Sequence, residues 1–118
     1  MRTLKAARFH APLDSRIEEV DYPIPAEDEV VLKVIRASIC NGSDGALYSR
    51  RRKREIAYPW MKLHWSQGHE CAGEIVEVGQ GVRDFSIGDR VACLKYGGAF
   101  AEYQCANVRE LVTIPQGM

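Results

Sequence analysis

Two short stretches hold the side chains with the most chemistry to offer. One is Cys40-Asn41-Gly42-Ser43-Asp44, and the other is Gly68-His69-Glu70. A thiolate and an imidazole are first-choice ligands of Zn²⁺. A carboxylate such as that of Asp44 accepts the second ring N–H of a ligating histidine and so fixes its tautomer. The Ser43 hydroxyl is a group suited to passing a proton. Taken alone, His69 reads more readily as a structural histidine in a turn. Glu70 beside it, able to ligate or orient, and the cluster at Cys40 move the reading toward a metal site.

These residues need rigid elements to hold them, and the surrounding sequence alternates as β strands do. Strands are expected over 4–10 and 15–23, joined by the turn signal "APLD". A third, 28–39, alternates through Val30, Leu32 and Val34 and runs into Cys40. A short helix is expected within 42–50, with Ser43 or Asp44 as its N-cap. Residues 50–67 show no period and read as a long loop. Further strands are expected over 70–79, 90–96, 99–106 and 110–115. Short strands at this spacing imply a mainly β domain, a barrel or a sandwich. The Gly79-Gln80-Gly81 stretch is a turn and not a dinucleotide loop, because the third glycine is misplaced and no helix pattern follows.

The chain of 118 residues suits one domain, 1–118. Its 16 basic and 16 acidic residues cancel, but residues 50–54 read "RRRKR". The rest of the chain therefore carries 11 basic against 16 acidic residues, a net of −5. That is a mildly acidic body with one basic loop, which disfavours a nucleic-acid partner. No apolar run approaches the ~20 residues of a membrane span, and the start "MRTLKAARFH" lacks the apolar core of a secretory signal. A cytoplasmic protein with four free thiols, Cys40, Cys71, Cys93 and Cys105, is expected.

Gly68, His69, Glu70, Gly73, Gly79 and Val82 follow the pattern Gly-His-Glu, two residues, Gly, five residues, Gly, two residues, Val. This resembles the zinc signature of the medium-chain, zinc-dependent alcohol dehydrogenases. "SIGDRVAC" (86–93) and "GGAFAEYQ" (97–104) look like that family's following segments, and "ASICNGSD" (37–44) is similar to its Cys-x-Ser/Thr-Asp element. The resemblance implies the N-terminal catalytic domain, a GroES-like, partly open β-barrel with one or two short helices. It implies Cys40 and His69 as ligands of a catalytic zinc. Glu70 would be a third or interchangeable ligand, as in the polyol-dehydrogenase branch. Ser43 would start a proton relay, and Asp44 would brace His69. The implied reaction oxidises a small alcohol or polyol to its aldehyde or ketone through a zinc-bound alkoxide, with NAD or NADP taking the hydride. The full-length enzymes are expected to be homo-oligomers.

Against that family, the Cys40–Asp44 element is one residue longer, and 28 residues separate Cys40 from His69, with the surplus in the stretch ending at Gln67. The four-cysteine lobe of the family has no counterpart, so no structural zinc is expected. Nor is there a Rossmann domain, which in the family binds the cofactor and supplies a further ligand. The chain is therefore expected to be inactive alone. Two other readings stay open: a zinc-free reductase domain of the quinone-oxidoreductase kind, and a non-enzymatic GroES-like binding module. Cys71, Cys93 and Cys105 read as core thiols. His64, Trp60 and Trp65 read as residues of the long loop, with Trp60 and Trp65 also candidates to line a substrate cleft.

Overall fold

A computed structural model describes residues 2–49 and 65–118. Eight strands are present among them: β1 (Thr3–Ala11), β2 (Asp14–Asp21), β3 (Glu29–Ala37), β4 (Trp65–Ser66), β5 (Glu70–Val78), β6 (Arg90–Leu94), β7 (Tyr103–Asn107) and β8 (Leu111–Thr113). A five-residue helix, α1 (Asp44–Tyr48), follows β3. The strands form a three-stranded sheet, β2-β1-β4, and a five-stranded sheet, β7-β3-β5-β6-β8. All pairings are antiparallel, and the sheets meet at an isolated bridge between Ala6 and Ala101 without closing. The mainly β, partly open architecture expected from the sequence is the one observed.

Strand β3 lies between β7 and β5, and its Val30, Val31 and Leu32 are fully buried on both faces. That is why its sequence is β-branched and apolar without strict alternation. Ile75 and Val91 complete the centre of this core, while Phe9 of β1 is fully buried in the smaller sheet. Burying side chains of this size contributes about 1.5–3 kcal/mol each, before entropy is counted. The chain also approaches itself closely. A Cβ at Gly79 would lie 2.0 Å from the Ala26 carbonyl oxygen, so no other residue fits where the end of β5 crosses the connection before β3. The glycine-rich segment is thus a packed turn, as expected.

Several details depart from the sequence reading. The stretch 50–67 holds β4 at its end, where Trp65 and Ser66 pair with Phe9 and Arg8. Residues 99–102 precede β7 and do not belong to it. Gly97 and Gly98 take φ of 96° and 100°, which turns the chain back so that Phe100 N–H reaches the Gln67 carbonyl at 3.0 Å. Glu110 lies in a 3₁₀ turn, Val108–Glu110, and not in the last strand. There Asn107 Oδ1 accepts from Arg109 N, and Glu110 Oε2 accepts from Asn107 N. Finally, Ser43 holds the N-cap position of α1 but makes no capping bond.

Candidate functional site

The register of β3 with β5 assembles the site. Ala37 pairs with Cys71 at the last rung, so Cys40 lies just past the end of β3 and His69 just before the start of β5. Both therefore emerge at one end of the same antiparallel pair. Beyond β3 the chain makes a tight turn in which Asp44 N and Gly45 N donate to the Cys40 carbonyl, at 2.8 and 3.3 Å. The Asp44 carboxylate closes the same turn from the side-chain direction: Oδ2 accepts from Cys40 N at 2.8 Å. Asn41, Gly42 and Ser43 are thus held in a turn whose two ends, Cys40 and Asp44, are tied together.

His69 is held from the other side by backbone. Gln67 N donates to Ala7 O, Ala99 N to Gly68 O, and Lys95 N to His69 O. Gly68 takes φ of +86°, and a Cβ there would fall 2.6 Å from the Phe100 ring. The glycine before the histidine is thus fixed by both backbone conformation and packing. Tyr96 lies nearly parallel to the His69 ring, centroids 6.4 Å apart.

The imidazole is flanked at both nitrogens. Asp44 Oδ1 stands 3.6 Å from Nδ1, and Glu70 Oε1 stands 3.5 Å from Nε2. Both distances exceed a full hydrogen bond, and they place a carboxylate opposite each ring nitrogen. His69 and Asp44 are mostly buried, whereas the Glu70 carboxylate is half-exposed. The Glu70 Oε2 atom accepts from Ser38 Oγ at 2.5 Å. At Cys40, the Ser43 hydroxyl and then the Ser43 and Gly42 amides favour the thiolate and hold the thiol below its usual range, against the opposing charge of Glu70. Ser43 Oγ is buried and has no hydrogen-bond partner among the described residues.

Asp44, His69 and Glu70 are therefore brought into one row, with Cys40 tied to it through Asp44. Among the described residues no three His, Cys, Asp or Glu side chains converge to hold a metal ion. The donor chemistry nonetheless fits part of a zinc site: a thiol biased toward thiolate, and an imidazole with a carboxylate at Nδ1 that leaves Nε2 for a metal. Ser38 and Tyr96 were not singled out from the sequence.

The other thiols are elsewhere. Cys71 is buried and donates to Gln104 Oε1 at 3.1 Å, and Gln104 Nε2 donates to Gly97 O at 2.9 Å. Cys93 is buried opposite Cys71 across β5 and β6. Cys105, expected in the core, is only half-buried, and its thiol donates to Glu29 Oε2 at 3.1 Å because β7 turns that side toward the start of β3. All four cysteines are free. His64, Trp60 and the basic run 50–54 lie outside the described residues, and Trp65 is described only as part of β4.

Residues 26–116 match the alcohol dehydrogenase GroES-like domain. The chain belongs to this family, the domain that opens the medium-chain, zinc-type alcohol dehydrogenases. It is 45% identical over 94 residues to acryloyl-coenzyme A reductase of Metallosphaera sedula, covering 80% of this chain and 26% of that one. It is 41% identical over 91 residues to sorbitol dehydrogenase of Bacillus subtilis, covering 77% and 25%. The crystal structure of 2R,3R-butanediol dehydrogenase from Bacillus subtilis superimposes with a TM-score of 0.81 at 28% identity, covering 96% of this chain and 41% of that one. The chain spans about a quarter of the length of these two curated relatives. Among the described residues no helix is long and apolar enough to cross a membrane.

Proposed function

We propose that this chain is the zinc-binding N-terminal part of an NAD(P)-dependent oxidoreductase that interconverts a small alcohol or polyol with its carbonyl form. The observation that carries this reading is the row Asp44–His69–Glu70, with a carboxylate opposite each ring nitrogen and the thiolate-biased Cys40 tied to Asp44. Zinc, when bound, supplies Lewis-acid polarisation of a substrate oxygen. Cys40 and His69 Nε2 would hold it, with Glu70 as a third or exchangeable donor. Asp44, whose Oδ1 faces Nδ1, would accept the Nδ1 proton of His69 and leave Nε2 for the metal. Ser43, whose hydroxyl is buried and has no hydrogen-bond partner among the described residues, would hold a proton for the reacting oxygen. The remaining ligand and the nicotinamide-binding residues would lie outside the described part of this chain. The 118-residue polypeptide alone is expected to show no NAD(P)-dependent alcohol oxidation.

A second reading is a zinc-free reductase domain of the same fold. It is favoured by the lack of three converging donors among the described residues and by the relative named as an acryloyl-coenzyme A reductase. Metal analysis separates the two. The first reading expects zinc bound through Cys40 and His69, weakly because the ligand set is partial, and lost in both Cys40→Ala and His69→Ala. Retention of bound zinc by both variants would sink the first reading, and no binding by the wild type would favour the second.

A further inference from the structure

Ser38 is the first residue beyond β3, and it bonds Glu70 twice. Its N–H donates to the Glu70 carbonyl at 3.1 Å, and its hydroxyl donates to Glu70 Oε2 at 2.5 Å. The second distance lies in the range of charge-assisted O–H···O⁻ bonds. One residue thus fixes both the main chain and the carboxylate of Glu70. The other carboxylate oxygen, Oε1, is left 3.5 Å from His69 Nε2. Untethered, a half-exposed glutamate samples many rotamers and spends little time near that nitrogen. With Oε2 tied to β3, only Oε1 can address the point at which Nε2 is aimed.

We propose that Ser38 is a positioning residue that makes Glu70 a one-oxygen donor to the metal held by His69. The proposal rests on the zinc reading above. Ser38 touches neither metal nor substrate, and it acts by immobilising the carboxylate that does. It also explains how Glu70 can serve as an exchangeable ligand: released from the metal, the carboxylate stays on its serine and remains within reach.

The test is a Co²⁺ titration of the 118-residue chain, read by the thiolate-to-cobalt band and the visible d–d bands, for the wild type and for Ser38→Ala, Ser38→Thr, Glu70→Ala and Ser38→Ala/Glu70→Ala. Ser38→Ala is expected to weaken Co²⁺ binding about 10-fold, as loss of an outer partner of a ligand typically does, and to alter the d–d spectrum. Ser38→Thr keeps the hydroxyl and should bind as the wild type does. In the Glu70→Ala background, Ser38→Ala should change nothing further. Unchanged binding by Ser38→Ala would overturn the proposal. So would an equal loss in the presence and absence of the Glu70 side chain, which is the signature of a folding defect. A Cys40-dependent band unaffected by Ser38→Ala leaves the zinc reading standing and removes only this inference. Absence of any Cys40-dependent band in the wild type removes both.

Discussion

Asp44 and His69 face each other carboxylate to imidazole, Oδ1 to Nδ1 at 3.6 Å, although they come from opposite sides of a β ladder. The other oxygen of Asp44 is committed to Cys40 N at 2.8 Å. One carboxylate therefore sets the geometry of the thiol-bearing turn and faces the imidazole at the same time.

Removing that carboxylate is expected to act twice. Asp44→Ala should weaken Zn²⁺ or Co²⁺ binding by about 10–100-fold through the unbraced His69. It should also cost about 1 kcal/mol of stability through the unpaired Cys40 amide. Asp44→Asn, which retains an acceptor for Cys40 N–H, should recover the stability while binding metal more weakly. Urea unfolding and metal titration on the same variants separate the two effects. Equal losses of stability in Ala and Asn variants would disprove the division of labour.

Gly68 is predicted to be intolerant of any side chain. Gly68→Ala forces a Cβ to within 2.6 Å of the Phe100 ring at a φ of +86°. Overpacking and left-handed strain each cost about 1–3 kcal/mol, so a loss of about 2–6 kcal/mol is expected in chemical denaturation. Adding Phe100→Ala opens the space but not the backbone angle. The double variant should therefore regain only the packing part of the loss, after allowance for the effect of Phe100→Ala alone. A Gly68→Ala protein as stable as the wild type would contradict this account.

The thiols should separate by pH. Cys40, held toward its thiolate by Ser43 and the Gly42 and Ser43 amides, should be alkylated by iodoacetamide first and at the lowest pH. Cys105 is pushed up to about 12, by burial first and then by its bond to Glu29, and should resist through mildly alkaline pH. Its folded value lies above the ordinary thiol value of 9.0, so the stability tied to its neutral form is full below about pH 9 and is lost as pH rises toward 12. Tyr22, raised to about 12 mainly by burial, works in the same direction. Denaturation midpoints should fall between pH 9 and 12, and less steeply in Cys105→Ala. An unchanged slope in that variant would exclude Cys105 as a source.

Much of this was legible in the amino-acid order. Period-two alternation located β1 and β2 to within a few residues, and apolar residues such as Ile75 and Val76 located β5, although β2 buries no residue fully. β3 reads as alternating through Val30, Leu32 and Val34, whereas Val30, Val31 and Leu32 are all fully buried. Strand β4 was not legible, since a two-residue strand has no period to show and exists only by pairing with Arg8 and Phe9. The region after Gly98 misled for a different reason: its apolar residues Ala99 and Phe100 pack inward from a folded-back chain, which residue type alone does not distinguish from a strand. At the site, thiol, imidazole and carboxylate announced themselves by type. The bond from Ser38 to Glu70 did not, because it depends on β3 and β5 lying in register, and a serine carries no sign of which strand it will face.

The tight turn at Cys40–Asp44 has a consequence for how this scaffold accommodates change. It sits past the last rung, and Asp44 N returns to Cys40 O at 2.8 Å. An insertion inside β3 would exchange inward and outward faces along the rest of the strand unless a bulge took it up, as the register shifts between Val31 and Leu32 and between Val34 and Arg36 do. Length variation is therefore easier at the rim than within the ladder. Lineages built on this frame can remodel the mouth of the site by adding or dropping residues there while its floor stays at constant spacing.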